Sequence, residues 1–304
     1  MRIGDAYTGP EMVSPAAWVA AAVVLSIGLV LTASCVIWQQ RQASAEARSL
    51  QERQVERLQG DLVKRLTMPV YGLKGARGTL AALQGKFSRE AFEAYVESRD
   101  LPHEFPGVRG FGFIERVARP DLDAFVAARQ REGASEFRVR GKGEDPTLYV
   151  TTLISPFSRN FAAWGQDEGA EPVRRQAIEQ AVDTGEPTLS SPVRLVQDPL
   201  KGPGFLLLVP VYRHGHDPGS PAQRRASLQG LLFAPLIAND LLRGAAEPAS
   251  SLLDLRLSVR MPDGQFTPLL ATHDGLPLTA LEAEELPLAD VPTAASSVFT
   301  VHGR

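Results

Sequence analysis

Between Tyr149 and Tyr212 the chain gathers the side chains that a small-molecule site needs: Tyr149, Trp164, Asp167, Arg174, Ser190, Arg194 and Leu195. Two aromatic rings and a leucine supply apolar walls. Two guanidiniums and a carboxylate supply directional anchors, and a serine hydroxyl can donate or accept. That mixture suits binding rather than bond making. An Arg–carboxylate pair more often has a structural use, so Asp167 with Arg174 or Arg175 also reads as a buried ion pair.

Other chemistry finds little support. His273-Asp-Gly-Leu-Pro-Leu-Thr279 faintly resembles a phosphoacceptor histidine box, but its spacing is one residue short and no ATP-binding glycine boxes follow. A loop ahead of a helix capped by Thr279 accounts for it. His214-x-His216 sits in a Gly/Pro loop without an obvious third metal ligand. Gly110-x-Gly112 and Gly202-x-Gly204 lack the strand–loop–helix setting of a phosphate cradle. No G-x-S-x-G nucleophile motif is present. No catalytic residue, metal site or cofactor is therefore expected in the chain.

Composition describes what holds such a site. Hydrophobic residues make up 44% and charged residues 22%, the balance of a packed fold. A net charge of −3 and a pI near 6.0 argue against a nucleic-acid partner. The one cysteine, Cys35, rules out a disulfide framework and a thiolate metal site.

Cys35 lies within Ala16–Trp38, a stretch with no charged side chain. At about 1.5 Å per residue it is long enough to cross a hydrocarbon core of roughly 30 Å as one helix. Pro15 precedes it, Gln39-Gln40-Arg41 follow it, and Trp18 and Trp38 lie near the two interfaces. A cleaved leader would have a shorter core behind a basic start, and here only Arg2 precedes the run. A lipidated cysteine would lie just after the core, not inside it. One membrane helix followed by a soluble body is the reading. Arg41, Arg48, Arg53 and Arg57 would weakly place that body in the cytoplasm, although the charge rule is weak for large domains.

Residues 39–85 read as a stalk helix, rich in Gln, Glu, Ala and Arg. Val55, Leu58, Leu62 and Leu66 are spaced three and four apart, and the pattern resumes beyond Pro69 through Val70, Leu73, Leu80 and Leu83. Gly72, Gly75 and Gly78 make a small-residue ridge. The stripe suits either packing on the chain's own body or a homodimer seam at Val55, Leu58, Leu62 and Leu66.

Beyond the stalk, short helices and strands alternate. Ser88 is read as an N-cap, with Phe87 and Phe92 as a staple. Phe111, Phe113 and Val117 alternate along a strand, and Pro120 opens a helix through Leu122, Phe125 and Val126. Strands are expected at Phe137–Val139, Leu148–Ile154, Leu189–Val196, Phe205–Tyr212, Leu228–Ala234, Leu255–Met261 and Phe266–Leu270, with another at Ser297–Val301. A helix from Pro172 to about Thr184 should stop at Gly185. Short connections make the sheet mostly antiparallel, and the class α+β.

The ordered motifs resemble the CHASE domain. Phe87-Ser-Arg89, Phe105-Pro-Gly-Val-Arg-Gly-Phe-Gly-Phe113, Glu115-Arg-Val117 and Phe125 through Gly133 match its opening. Asn160, Gly165-x-Asp167, Glu171-Pro-Val-Arg-Arg175, Ala177 and Ala181-x-Asp-Thr-Gly185 match its middle. Ser191-Pro-x-Arg-Leu195 and Val209-Pro-Val-Tyr212 follow in order, so the likeness covers about Leu66 to Arg304.

The resemblance implies an extracytoplasmic sensor in the inner membrane, which overrides the weak charge rule. It implies two PAS-like lobes with antiparallel sheets behind a membrane helix and stalk, and a small-molecule ligand in the distal lobe. Residues 1–15 then form a short cytoplasmic tail, 16–38 the membrane helix, 39–85 the stalk, and 86–304 the sensing domain. Its distal lobe is placed at about 86–213 and its proximal lobe at about 214–304, cut before its last strand. The chain would be a fragment of a sensor histidine kinase or diguanylate cyclase. Ser190 and Leu195 match positions lining the pocket of the plant cytokinin receptors. The acidic adenine contact of those receptors falls at or near Arg174, which argues against a purine and favours an anionic ligand. The contrasting reading is a membrane-tethered scaffold that keeps the fold without a ligand. A phosphatase reporter fused after Leu83 should be active if the body lies outside the cytoplasm, and inactive if the charge rule holds.

Overall fold

The computed structural model describes residues 15–83, 88–141, 143–195, 203–213, 218–238, 240–241, 255–260, 264–273 and 276–278. Phe87, Thr279 and Ser297–Val301 lie outside them, as does most of the loop with His214 and His216. Helix α1 runs Pro15–Ala82 and passes through Pro69. The chain divides into two units, Met1–Arg53 and Gln54–Arg304. In the first, Val23–Ala43 is a 21-residue segment of mean hydropathy 1.7, long and apolar enough to cross a membrane. It begins and ends later than the expected run, and Trp18, Leu25, Leu29 and Trp38 are all exposed.

In the second unit, the stripe on α1 turns inward onto the chain's own body. Leu58, Leu62, Val70, Leu73, Ala76 and Leu80 are buried in one core with Phe92, Phe105, Phe111 and Phe113. Leu66 packs against that core from a half-buried position. Two of the four residues expected at a homodimer seam, Leu58 and Leu62, are therefore already covered. Exposing either to a partner would give up about 1.5–3 kcal/mol of burial. The glycine ridge serves the same packing. A Cβ on Gly72 would meet the Phe111 and Phe105 rings at 2.7 and 2.8 Å, and one on Gly75 would collide with the Tyr95 hydroxyl. Gly78 has open space around it.

Helix α2 (Arg89–Glu97) begins at Ser88, whose hydroxyl accepts from the Ala91 N–H at 3.1 Å. It buries Phe92 and Val96, and its Tyr95 hydroxyl donates to the Gly72 carbonyl at 2.5 Å. A short α3 (Leu101–Glu104) leads into β1 (Phe111–Ala118). There follow α4 (Leu122–Arg131), β2 (Thr147–Ser155), α5 (Phe157–Asn160) and α6 (Pro172–Thr184). Gly185 ends α6 at φ +77°, a left-handed stop that suits glycine.

The main sheet has the order β2-β1-β6-β5-β3, all antiparallel. Its later strands are β3 (Thr188–Leu189), β4 (Val193–Arg194), β5 (Pro203–Tyr212) and β6 (Leu228–Ile237), with α7 (Pro221–Ser227) before β6. Alternate residues of β5 feed two cores. Phe205, Leu207, Val209 and Val211 face α1 and α2, whereas Leu206 and Leu208 pack with Ala177, Ile178 and Ala181 of α6. Strand β6 lies between β1 and β5 in this sheet, beyond the boundary expected near residues 213–214. A separate three-stranded sheet holds β7 (Leu255–Arg260), β8 (Phe266–His273) and β9 (Leu276–Leu278).

Three local expectations need correction. Phe137–Val139 forms no strand; the neighbouring Arg140 makes one bridge with Gln166. In place of one strand over Leu189–Val196 there are two short ones, β3 ending at Leu189 and β4 at Val193–Arg194, and Val196 is not among the described residues. His273 ends β8 and pairs with Leu276 of β9, so the described part of that stretch is strand and not loop, while Thr279 lies outside the described residues. Replacing Tyr95 by Phe should cost about 1 kcal/mol by deleting the bond to Gly72. Gly75→Ala should cost more, because its Cβ must displace that hydroxyl; denaturant unfolding of both variants measures the order.

Candidate functional site

Side chains alternate across a strand, so neighbouring β1 residues face opposite sides of the sheet. On the Glu115 side, α2 and α4 leave a gap above the β1–β2 pair. That gap is a cavity of about 650 Å³, lined by Phe113, Glu115, Arg129, Phe137, Thr152 and Trp164 among others. On the Arg116 side, a smaller cavity of about 290 Å³ opens between α6 and the same two strands.

The larger cavity owes its shape to a β-bulge. The β1–β2 register shifts between Phe113, paired with Leu153, and Ile114, paired with Thr151, which leaves Thr152 as the extra residue. Its carbonyl is released to accept the Trp164 indole N–H at 3.0 Å. The Trp164 ring packs edge-on against Phe137 (5.2 Å between centroids) and Phe157 (5.3 Å). Arg89, at the start of α2, lies 5.0 Å over the Trp164 ring and 4.9 Å over Phe157. The loop carrying Trp164 is tied down by Arg140, whose guanidinium donates to the carbonyls of Ala162 and Trp164. On the far wall, Arg129 pairs with Glu115 at 3.1 Å, and both are part-buried. The Arg129 Nε is buried without a hydrogen-bond partner among the described residues.

The seven residues expected to line one pocket do not converge. Trp164 lines the larger cavity and Tyr149 the smaller. Asp167 pairs with neither arginine. Its Oδ1 accepts from the backbone N–H groups of Tyr149 (2.9 Å) and Gly169 (3.0 Å), which fixes a turn against β2. Arg174 instead pairs with Glu168 at 2.5 Å and donates to the Arg194 carbonyl at 2.6 Å. Arg175 is spent on the Gly169 and Thr147 carbonyls and on Asp145 at 3.1 Å. Ser190 is buried and accepts from the Leu206 N–H at 2.9 Å, so its hydroxyl joins β3 to β5. Leu195 is buried against Gly204, and the Arg194 side chain faces solvent.

The Glu168–Arg174 pair is closed to solvent, with 3% and 9% side-chain exposure. Thr151 donates to the other Glu168 oxygen at 3.2 Å. Burial raises the Glu168 carboxyl above its ordinary value, with Arg174 opposing. Sequence reasoning missed Glu168 because a lone glutamate beside a glycine turn carries no pattern. It missed Glu115 and Arg129 because they are distant in sequence and meet only where α4 crosses β1.

The CHASE domain pattern matches residues 85–268, more than half of the chain. No curated protein matches. Among solved structures, an extracellular ligand binding receptor from Desulfohalobium retbaense DSM5692 aligns with TM-score 0.43 and 13% identity. That alignment covers 70% of this chain and 29% of the receptor's.

Removing Arg174 strands a buried carboxylate, so Arg174→Ala should cost about 3–5 kcal/mol. A Glu168→Gln change in the same chain should recover part of the loss. With the folded pKa raised, the native state binds more protons than the unfolded one between the two pKa values. Stability from Glu168 is thus full below the usual carboxylate range and is lost as pH rises through the folded value. Melting temperatures from pH 4 to 8 should fall less with rising pH in Glu168→Gln than in the parent.

Proposed function

The chain belongs to the CHASE-domain family, and from that premise we propose that it is the small-ligand sensing input region of a transmembrane signalling receptor. The observation that carries the reading is the cavity of about 650 Å³ beside the bulge at Thr152. Its volume falls within the roughly 300–1,000 Å³ of small-molecule sites. Its walls combine the rings of Phe113, Phe137 and Trp164 with a charged rim that includes Arg89, Glu90, Glu115, Arg129 and Glu132, so a ligand would meet both apolar surface and directional anchors. The antiparallel sheet between helical layers supports a PAS-like distal lobe, extending here through Ile237, with β7–β9 assigned to a proximal lobe.

The family match together with the candidate membrane helix supports a membrane-anchored body facing outward, and the inner membrane is the proposed location. Output is assigned to a histidine kinase or diguanylate cyclase in the same receptor. A homodimer is proposed through the membrane segment and the exposed face of the stalk, since Leu58 and Leu62 are buried. Ser88, Arg89 and Glu90 of the α2 entrance line the larger cavity, and Tyr95 of the same helix grips the stalk at Gly72. Helix α2 is thus the proposed path from ligand to stalk.

The test is a thermal-shift titration of the chain in lipid nanodiscs with a panel of small carboxylates, amines and heterocycles. At least one compound should raise the melting temperature in a saturable way. Glu115→Gln should weaken that compound about tenfold, or about 1.4 kcal/mol. Trp164→Phe, which keeps a ring but loses the bond to Thr152, should weaken it as well. No stabilisation across the panel, or stabilisation untouched by both changes, would support the scaffold reading instead.

A further inference from the structure

The smaller cavity, on the opposite face of β1, has its own chemistry. Its walls carry Arg116 from β1, Tyr149 from β2, Arg175, Glu179 and Asp183 from α6, and Arg225 from α7. Most of these charges are already matched. Arg225 grips Asp183 through two bonds of 2.6 and 2.5 Å. Arg175 is held by Asp145 at 3.1 Å and by two backbone carbonyls.

Three groups remain under-used. Arg116 donates to the Arg225 carbonyl at 2.9 Å but has no carboxylate within ion-pair distance among the described residues. Glu179 has only a long 3.5 Å contact to Arg175, and its side chain is 52% exposed. The Tyr149 hydroxyl has no hydrogen-bond partner among the described residues, although its ring is buried under Arg175. A cation on the strand and an anion on the helix therefore face one small space, with a phenol beside them.

We propose that this cavity is a second ligand site, separate from the one beside Trp164, and that it takes a small zwitterion of the α-amino acid class. The ligand carboxylate is held by the Arg116 guanidinium and the Tyr149 hydroxyl, and its ammonium by Glu179. Burial, and then the Glu179 charge, raise the Tyr149 phenol above its ordinary value, so it stays protonated and donates. The volume of about 290 Å³ lies just below the usual small-molecule range, which restricts the ligand to a few heavy atoms. Such a ligand would give Arg116 the carboxylate it lacks among the described residues, and Glu179 a closer cation than Arg175 at 3.5 Å.

Calorimetric titration of the whole chain in nanodiscs tests this with each of the twenty α-amino acids. Propionate and propylamine serve as probes carrying one charge each. At least one amino acid should bind saturably while both single-charge probes fail. Glu179→Gln and Arg116→Met, both at exposed side chains, should each weaken that amino acid tenfold or more. Trp164→Phe should leave it unchanged, which separates this site from the larger cavity. Absence of binding by all twenty overturns the proposal. So does equal binding of propionate, which marks a plain anion site, or affinity that survives both wall changes.

Discussion

The pairing of β5 with β6 is the constraint on which the rest of the body depends. Their register runs from Gly204–Ile237 to Tyr212–Leu228, and nearly every residue between is buried. An apolar strand pair of that length must be covered on both faces, because either face left in water would forfeit several side chains' worth of transfer energy. The stalk with α2 covers one face, and α6 covers the other. The remaining strand pair, β1–β2, ends the sheet, with α2 and α4 above one face and α6 beside the other. Both cavities lie there.

Electrostatics then decides which charges can do more than hold the fold. Glu168 and Arg174 are deep enough that each exists for the other. A ligand reaching them would have to replace a 2.5 Å contact and the bond to the Arg194 carbonyl. Arg116, Glu179, Glu115 and Arg129 lie nearer the edge, where a charge can be re-paired without leaving a vacant hole. The charges free to re-pair thus lie at the rim of β1 and not at the Glu168–Arg174 pair.

Much of this fold was legible from local chemistry. The Ser88 cap, the Gly185 stop, the long β5 and β6 strands and the α6 helix all follow from residue type and spacing. The stalk stripe was legible as a stripe but not as to its partner, since three-and-four spacing describes a face and never what covers it. Phe137–Val139 looked like a strand because its alternation is real, yet Arg140 and Trp164 hold that segment to a loop instead. The site was harder. Tyr149 and Trp164 were named from their types, but a bulge at Thr152 separates their surroundings. The choice of Glu168 over Asp167 as the partner of Arg174 depends on one turn, in which Asp167 is taken by two backbone N–H groups.

Strand β1 is only eight residues long, yet positions 115 and 116 each furnish a charged wall to a different cavity. A hydrogen-bonded strand moves as a unit, so a tilt of β1 that tightens one space alters the other. Thermodynamic linkage makes such an influence reciprocal: whatever occupancy on the Glu115 side does to affinity on the Arg116 side is returned by the same factor. With both cavities occupied as proposed, sensitivity to one compound would be set by the concentration of another, and the sheet would be the place where the two are compared.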